Sequence, residues 1–151
     1  MNIKKALVCL SIVAVLTLYV PNVAAAATGK QTSYYAMDVP VKNQTALVLA
    51  LSNNTTVVGT QVYVVGALAA KEHGTVHYIG GATITLQQLS ANGTGWNTIG
   101  TSQTLSTGNV TGFFGVGTTP KSSGYYIIRA IYDGDSNYAP AVSNVVALTV
   151  N

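Results

Sequence analysis

The chain has 151 residues, and only 11 are charged: seven Lys or Arg and four Asp or Glu. That is 7% of the sequence, against roughly 25% in an ordinary soluble domain, while 48% is apolar. This balance suits one hydrophobic core and leaves too little chain for two. It excludes a disordered polar chain, a coiled coil and a basic nucleic-acid-binding arm.

At the N-terminus Lys4 and Lys5 precede an apolar run from Ala6 to Val20, which Pro21 breaks before Val23-Ala24-Ala25-Ala26-Ala27. A short positive start, an apolar stretch and a small-residue site define a secretory signal peptide. As a helix the run would span about 22 Å, short of the ~30 Å that a permanent anchor needs. We expect residues 1–26 to be the leader, 27–45 an N-terminal extension or extra strand, and 46–151 one folded domain. A rival reading cuts the leader just after the lysines and keeps the apolar segment as a pilin-like helix; Pro21 and the alanines oppose a long uninterrupted helix there. Ala6-Leu7-Val8 is not the small-residue context of a lipid-attachment site at Cys9.

Loss of the leader removes Lys4, Lys5 and Cys9, leaving five basic and four acidic residues and a net charge of +1 in place of +3. The basic balance then belongs to the leader, and no nucleic-acid partner is expected. With no cysteine left, the domain has neither a disulfide staple nor thiolate chemistry, although it matures outside the reducing cytosol. No permanent transmembrane segment is expected in the mature chain.

From Thr28 onward apolar residues alternate with polar or small ones, and Gly, Asn, Ser and Thr punctuate the runs every eight to twelve residues. That pattern predicts an all-β sandwich. Thr28–Lys42 reads as a tail or an extra first strand, with Pro40 suited to an edge. Ala46–Ser52 sets Leu47, Leu49 and Leu51 on one face, and Thr60–Ala69 sets Val62, Val64 and Leu68 together. Ala70–Gly81 is a long loop or an extra hairpin. Ala82–Leu89 has the cleanest alternation, with Ala82, Ile84 and Leu86 inward and Thr83, Thr85 and Gln87 outward. Trp96–Leu105 and Val110–Val116 are glycine-interrupted strands. Gly124–Tyr132 is apolar on both faces apart from Arg129, as a central strand should be, and Ser143–Val150 closes the domain. Seven strands are the size of one immunoglobulin-like sandwich.

The run from Gly124-Tyr125-Tyr126 through Arg129-Ala130-Ile131-Tyr132-Asp133-Gly134-Asp135-Ser136-Asn137-Tyr138 to Pro140, followed by Ser143 and a last strand to Val150, resembles the ending of bacterial and archaeal Ig-like repeat domains. In that family a Tyr-rich strand runs into a Gly-Asp-x-x-Tyr corner. The resemblance covers Ala46 to Asn151, with specific matches in the last thirty residues. It implies a secreted or cell-surface module for spacing, adhesion or matrix building, and brings no catalytic residues with it. The corner residues are themselves turn formers, and Tyr138 is expected to fold its ring onto the core edge with its hydroxyl on backbone, as a tyrosine corner does.

Candidate chemistry is sparse. Asp133, Asp135 and Asn137 have the first three spacings of a calcium loop, but position six is Tyr138 and position twelve Asn144 where Gly and Glu belong. Glu72, His73 and His77 form the one histidine cluster, but Gly74 lies between them, no cysteine remains and helical i,i+4 geometry is not expected, so a polar exposed loop is favoured over a zinc site of three or four protein ligands. No G-x-S-x-G elbow, cysteine nucleophile or carboxylate pair is present in the mature chain, and no cofactor or catalytic residue is expected. Trp96, Tyr34 and Tyr35 are candidates for ligand stacking, Trp96 between Gly95 and Asn97 being the best placed. Asn43, Asn53, Asn54, Asn92 and Asn109 stand in N-x-S/T sequons, glycan acceptors where the host uses them. Lys42 and Asn144, with Asp38 or Glu72, are the partners an isopeptide cross-link would need.

The functional expectation is a secreted or cell-surface Ig-like module with a structural, adhesive or interaction role and no catalysis. Its partners would be a surface or matrix protein, a glycan or another copy of itself. The alternatives are a carbohydrate-binding module using exposed Trp and Tyr, and a surface-filament subunit assembled through its N-terminal segment.

Overall fold

The computed structural model describes residues 41–151. The strands in chain order are β1 (Gln44–Leu51), β2 (Thr55–Thr56), β3 (Val62–Glu72), β4 (Thr75–Tyr78), β5 (Thr83–Leu89), β6 (Trp96–Gln103), β7 (Phe113–Thr118), β8 (Gly124–Tyr132), β9 (Ala141–Val142) and β10 (Val146–Val150). They form two sheets. In the first, β3 lies between β1 on one side and β4 and β7 on the other; in the second, the order is β2-β10-β8-β5-β6, with β9 also on β8. All ladders are antiparallel except β2 beside β10. The chain is an all-β, Ig-like antiparallel sandwich.

All seven expected strands form, and the deviations have local causes. Β3 runs on to Glu72 because Ala69–Glu72 pair with β4, so the stretch Ala70–Gly81 is a hairpin rather than a loop. Its two-residue turn holds His73 at φ 47° and Gly74 at φ 85°, the double positive φ of a type I′ connection that matches the strand twist. Val110 falls in a 3-10 turn, Gly108–Val110, so β7 starts three residues later than the alternation suggests. Two short strands, β2 and β9, add to the second sheet. Β2 arises because the chain leaves the first sheet after Leu51 and crosses to lie beside β10. Of the Thr28–Lys42 stretch, residues 28–40 lie outside the described residues, as do the leader, Tyr34, Tyr35 and Asp38.

The two inner faces build the core. Leu47 and Leu49 from β1, Val64 and Leu68 from β3, Ile84 and Leu86 from β5, Phe114 from β7, and Ile128, Ala130 and Tyr132 from β8 pack together between the sheets. Leu47, Leu49, Val64, Leu68, Ile84 and Leu86 are positions that the period-two pattern groups on one face, and each buried Leu or Ile contributes about 1.5–3 kcal/mol. Within the first sheet Gly66 leaves room for its neighbours on both sides: a Cβ there would collide with the Phe114 ring of β7 and the Val48 carbonyl oxygen of β1.

The outward face of the first sheet is apolar too. Val48, Ala67, Ala69 and Phe113 form a second buried cluster with Ala50, Val65 and Tyr78 against it. Ala67 sits in register between Val48 and Phe113, and the Phe113 ring stacks on Tyr78 with centroids 5.4 Å apart. The edge of β1 is closed by side chains. The Leu49 amide donates to Asn144 Oδ1 and the Asn144 Nδ2 donates to the Leu49 carbonyl, both at 2.9 Å, so one amide side chain imitates a neighbouring strand and blunts the edge.

Candidate functional site

The outward face of the second sheet differs in kind. Strand alternation turns Ile128, Ala130 and Tyr132 of β8 inward, which leaves Tyr125, Ile127, Arg129 and Ile131 outward. On β5 the outward set is Thr83, Thr85 and Gln87, and register places Gln87 directly opposite Arg129. The β5–β6 ladder slips between Leu86 and Gln87: Leu86 faces Gly100, but Gln87 faces Thr98. Ile99 is the extra residue of a β-bulge, which reverses the facing of everything before it on β6. Trp96 is thereby turned to the same face as Arg129.

The result is a fixed guanidinium. Arg129 Nε and Nη2 donate to Gln87 Oε1 at 3.0 and 2.9 Å, and the guanidinium carbon lies 4.0 Å from the centroid of the Trp96 ring. A cation over an indole face is attracted by the ring quadrupole, by about 0.5–1 kcal/mol where solvent reaches it. Gln87 neutralises no charge. Trp96 is half-buried and one face is taken by Arg129, so it is not the open stacking ring that its glycine-flanked position suggests. The open ring is Tyr125, 67% exposed at the start of the same strand as Arg129.

The corner after β8 is a turn organised around the Asp135 carboxylate. Asp135 Oδ1 accepts from the amides of Asn137 and Tyr138 at 2.8 and 2.9 Å, and its Oδ2 accepts from the Tyr132 hydroxyl at 2.9 Å. The Asn137 amide, then the Tyr132 hydroxyl, the Tyr138 amide and the Lys42 charge hold the Asp135 carboxyl below its ordinary range, against a smaller opposing desolvation. Burial, with the Asp135 hydrogen bond and charge behind it, pushes the Tyr132 phenol up. Gly134, at φ 79°, packs where a Cβ would press on the Tyr138 carbonyl oxygen at 2.7 Å. Asp135 is thus committed to the turn, Asp133 and Asn137 are exposed, and no group of three His, Cys, Asp or Glu able to hold a metal occurs among the described residues.

The hydroxyl-to-backbone bond of a tyrosine corner belongs to Tyr126. Its hydroxyl donates to the Ser122 carbonyl four residues upstream at 2.8 Å and meets Ser122 Oγ at 2.9 Å, as a tyrosine near the start of the sixth strand of an Ig sandwich does. Tyr138 packs its ring on the core edge, as expected of it.

The other candidates are scattered. His73 and His77 are exposed on the β3–β4 hairpin and Glu72 is half-buried beside them. Among the sequons Asn43 is half-buried, its backbone bonded to Asn137 and Ala139. Asn53 and Asn54 are exposed between β1 and β2, and Asn109 on the 3-10 turn. Asn92 is exposed, with its Oδ1 accepting from Ser90 Oγ and the Thr94 amide. Asn144 has both amide atoms engaged with Leu49.

Sequence reasoning passed over Arg129, Gln87 and Tyr125 as a group. The available signal was Arg129 itself, the one charge in an otherwise apolar strand, and the outward parity of Gln87. Their pairing needs the register, and Trp96 needs the bulge.

Fold and face together define an Ig-like β-sandwich with one apolar outward face and one polar, aromatic outward face. No protein-family model matches the chain, and no curated protein does. Among solved structures it is similar to the CARDB domain of the PF1109 protein from Pyrococcus furiosus, determined in complex with di-metal ions, at 14% identity and a TM-score of 0.42 over 72% of this chain and 94% of that one. No helix among the described residues is long and apolar enough to cross a membrane.

Proposed function

We propose that this protein is a secreted or cell-surface Ig-like module that works by binding through the outward face of its second sheet, without catalysis. The observation that carries the reading is the Trp96–Arg129–Gln87 group. Trp, Tyr and Arg are the side chains that dominate binding energy at interfaces, and here an Arg is held rigid with hydrogen-bond donors left over. A guanidinium has five N–H donors, and Gln87 takes only two of them. The leader at residues 1–26 and the resemblance of Gly124–Val150 to surface Ig-like repeats support the location. Among the described residues no cluster of acid–base or nucleophilic groups is gathered at this face: its one charged side chain is a guanidinium, which donates only.

The test is fractionation of cells producing the full chain, alongside a Trp96→Ala/Arg129→Ala double variant. The expected result is wild-type protein in the envelope and medium, with envelope retention lost in the double variant. Recovery of the wild type in the cytosol overturns the location. Equal retention of the two overturns the role of the face.

A further inference from the structure

We infer that the outward face of β5, β6 and β8 takes a carboxylate-bearing glycan, a chain of uronic-acid sugars, with Arg129 as the carboxylate anchor. This rests on the reading of that face as the binding surface, and adds the chemistry of its ligand.

Charge is the first argument. The described acids are Glu72 at the end of β3 and Asp133 and Asp135 at the corner, and none bonds Arg129, whose guanidinium contacts are a neutral amide oxygen and an indole ring. Arg is therefore presented with its plane fixed and its charge unmatched. A carboxylate accepts from a guanidinium through two parallel, charge-assisted bonds, stronger than those between neutral groups. The stack and the Gln87 bonds order the side chain before the ligand arrives, so less rotamer freedom is lost on binding.

The surroundings choose a sugar chain over the other polyanions. A nucleic acid is held by several cations along its backbone, but among the described residues Arg129 is the only cation on this face: Lys71 is on the first sheet, Lys42 precedes β1 and Lys121 precedes β8. An acidic peptide is usually gripped by a free strand edge or an apolar groove, but Arg129 stands on β8, an inner strand with β10 and β9 on one side and β5 on the other, two strands in from the edge at β6. What the face does offer is side chains: the Gln87 amide, the hydroxyls of Thr85, Thr98 and Thr101, and the Tyr125 ring. Tyr125 precedes Arg129 by four residues on the same face, about 13 Å along the strand, so the two address different sugars of one chain. Its ring can pack on the C–H face of a pyranose while hydroxyls and the carboxylate meet the polar groups.

Isothermal titration of the full chain, as purified after secretion, tests the assignment with three probes: an oligogalacturonate, a neutral galactose oligomer of the same length, and a poly-glutamate peptide. The expected result is binding of the oligogalacturonate at least about tenfold tighter than of the neutral sugar. Arg129→Gln should weaken it by a further factor of about ten or more, and Arg129→Lys by nearly as much, because Lys keeps the charge and loses the fork and the stack. Gln87→Ala leaves the core untouched and should weaken it by less, which keeps the test sound should an Arg129 variant fold poorly. Uronate binding that is indifferent to both positions overturns the site, and equal or tighter binding of poly-glutamate overturns the ligand class. Absence of uronate binding, with envelope retention still dependent on Trp96 and Arg129, overturns the glycan and leaves the binding face standing. Loss of both dependences removes the two together.

Discussion

The two outward faces of this sandwich are built from the same backbone geometry and opposite side chains. On the first sheet the rows read Ala46-Ala69-Tyr78, Val48-Ala67-Phe113 and Ala50-Val65-Gly115, small residues roofed by Val48 and a Tyr78–Phe113 stack. On the second they read Tyr125 with Thr149, Arg129 with Gln87 and Thr98, and Ile131 with Thr85 and Thr101. An antiparallel sheet ordinarily has one buried and one solvated face. The second sheet obeys this. The first does not, and β3, VYVVGALAA before its terminal Lys71 and Glu72, is buried on both sides over residues 66–70, as a central strand of a layered protein would be. The lesson is that apolar area and charge are separated: the first face contributes stability, and the second holds the Arg129 guanidinium in a fixed position.

The sharpest way to break that contrast is to place the same charge on each face. Ala67 is wholly buried, so Ala67→Asp puts a carboxylate between Val48 and Phe113 with no partner and should destabilise by at least about 3 kcal/mol. Thr101→Asp, on the exposed row of the second face, should cost under about 1 kcal/mol. Urea denaturation of both variants checks the pair; equal losses would mean that the first face is not a core.

Truncating one aromatic on each face gives the next largest difference. Phe113→Ala removes a ring that is 6% exposed and stacked on Tyr78, and should lose about 3–5 kcal/mol. Tyr125→Ala removes a ring standing in solvent and should lose under about 1 kcal/mol, its effect falling on ligand binding instead. A third, smaller change lies at the entry to β8. Tyr126→Phe deletes the hydroxyl bonded to Ser122 and should destabilise by about 1 kcal/mol, read as a shift in urea midpoint with unchanged slope.

The inward faces were legible in the sequence, and the contrast between the outward ones was not. The period-two pattern placed Leu47, Leu49, Ile84 and Leu86 inward, and the seven strands follow from it, because in a two-sheet protein burial alternates along each strand. The outward cluster of the first sheet was missed since the same pattern, read for its inward residues, says nothing of Val48 or Ala67 on the opposite parity. The candidate face was hidden for a different reason. Trp96 precedes a bulge at Ile99, and a one-residue slip reverses which side of the sheet a residue faces; nothing local to Trp96-Asn97-Thr98-Ile99 announces it. The hydroxyl-to-backbone bond expected of Tyr138 is made by Tyr126; both tyrosines have turn residues nearby, and only the fold decides which hydroxyl reaches backbone.

The smallest effect separates the ends of the two sheets by pH. The tight connection of the first sheet, His73-Gly74, is held by backbone torsion, whereas the corner after β8 is held by the ionised Asp135. Hydrogen bonds from the Asn137 amide, the Tyr132 hydroxyl and the Tyr138 amide hold that carboxyl below its ordinary range. A carboxyl whose folded pKa lies below its unfolded value binds protons more readily when unfolded, so stability falls as protons are added. The contribution is complete above the unfolded value of about 3.9, and it is lost as pH drops from there through the depressed folded value. Asp135→Asn cannot ionise and accepts through one oxygen only. It should melt at a lower temperature than the wild type near neutral pH, and the gap should narrow steadily as the pH is taken from about 5 towards 2. Melting curves across that range decide the matter: a gap that stays constant with pH would show that the corner depends on the shape of the Asp135 side chain and not on its charge.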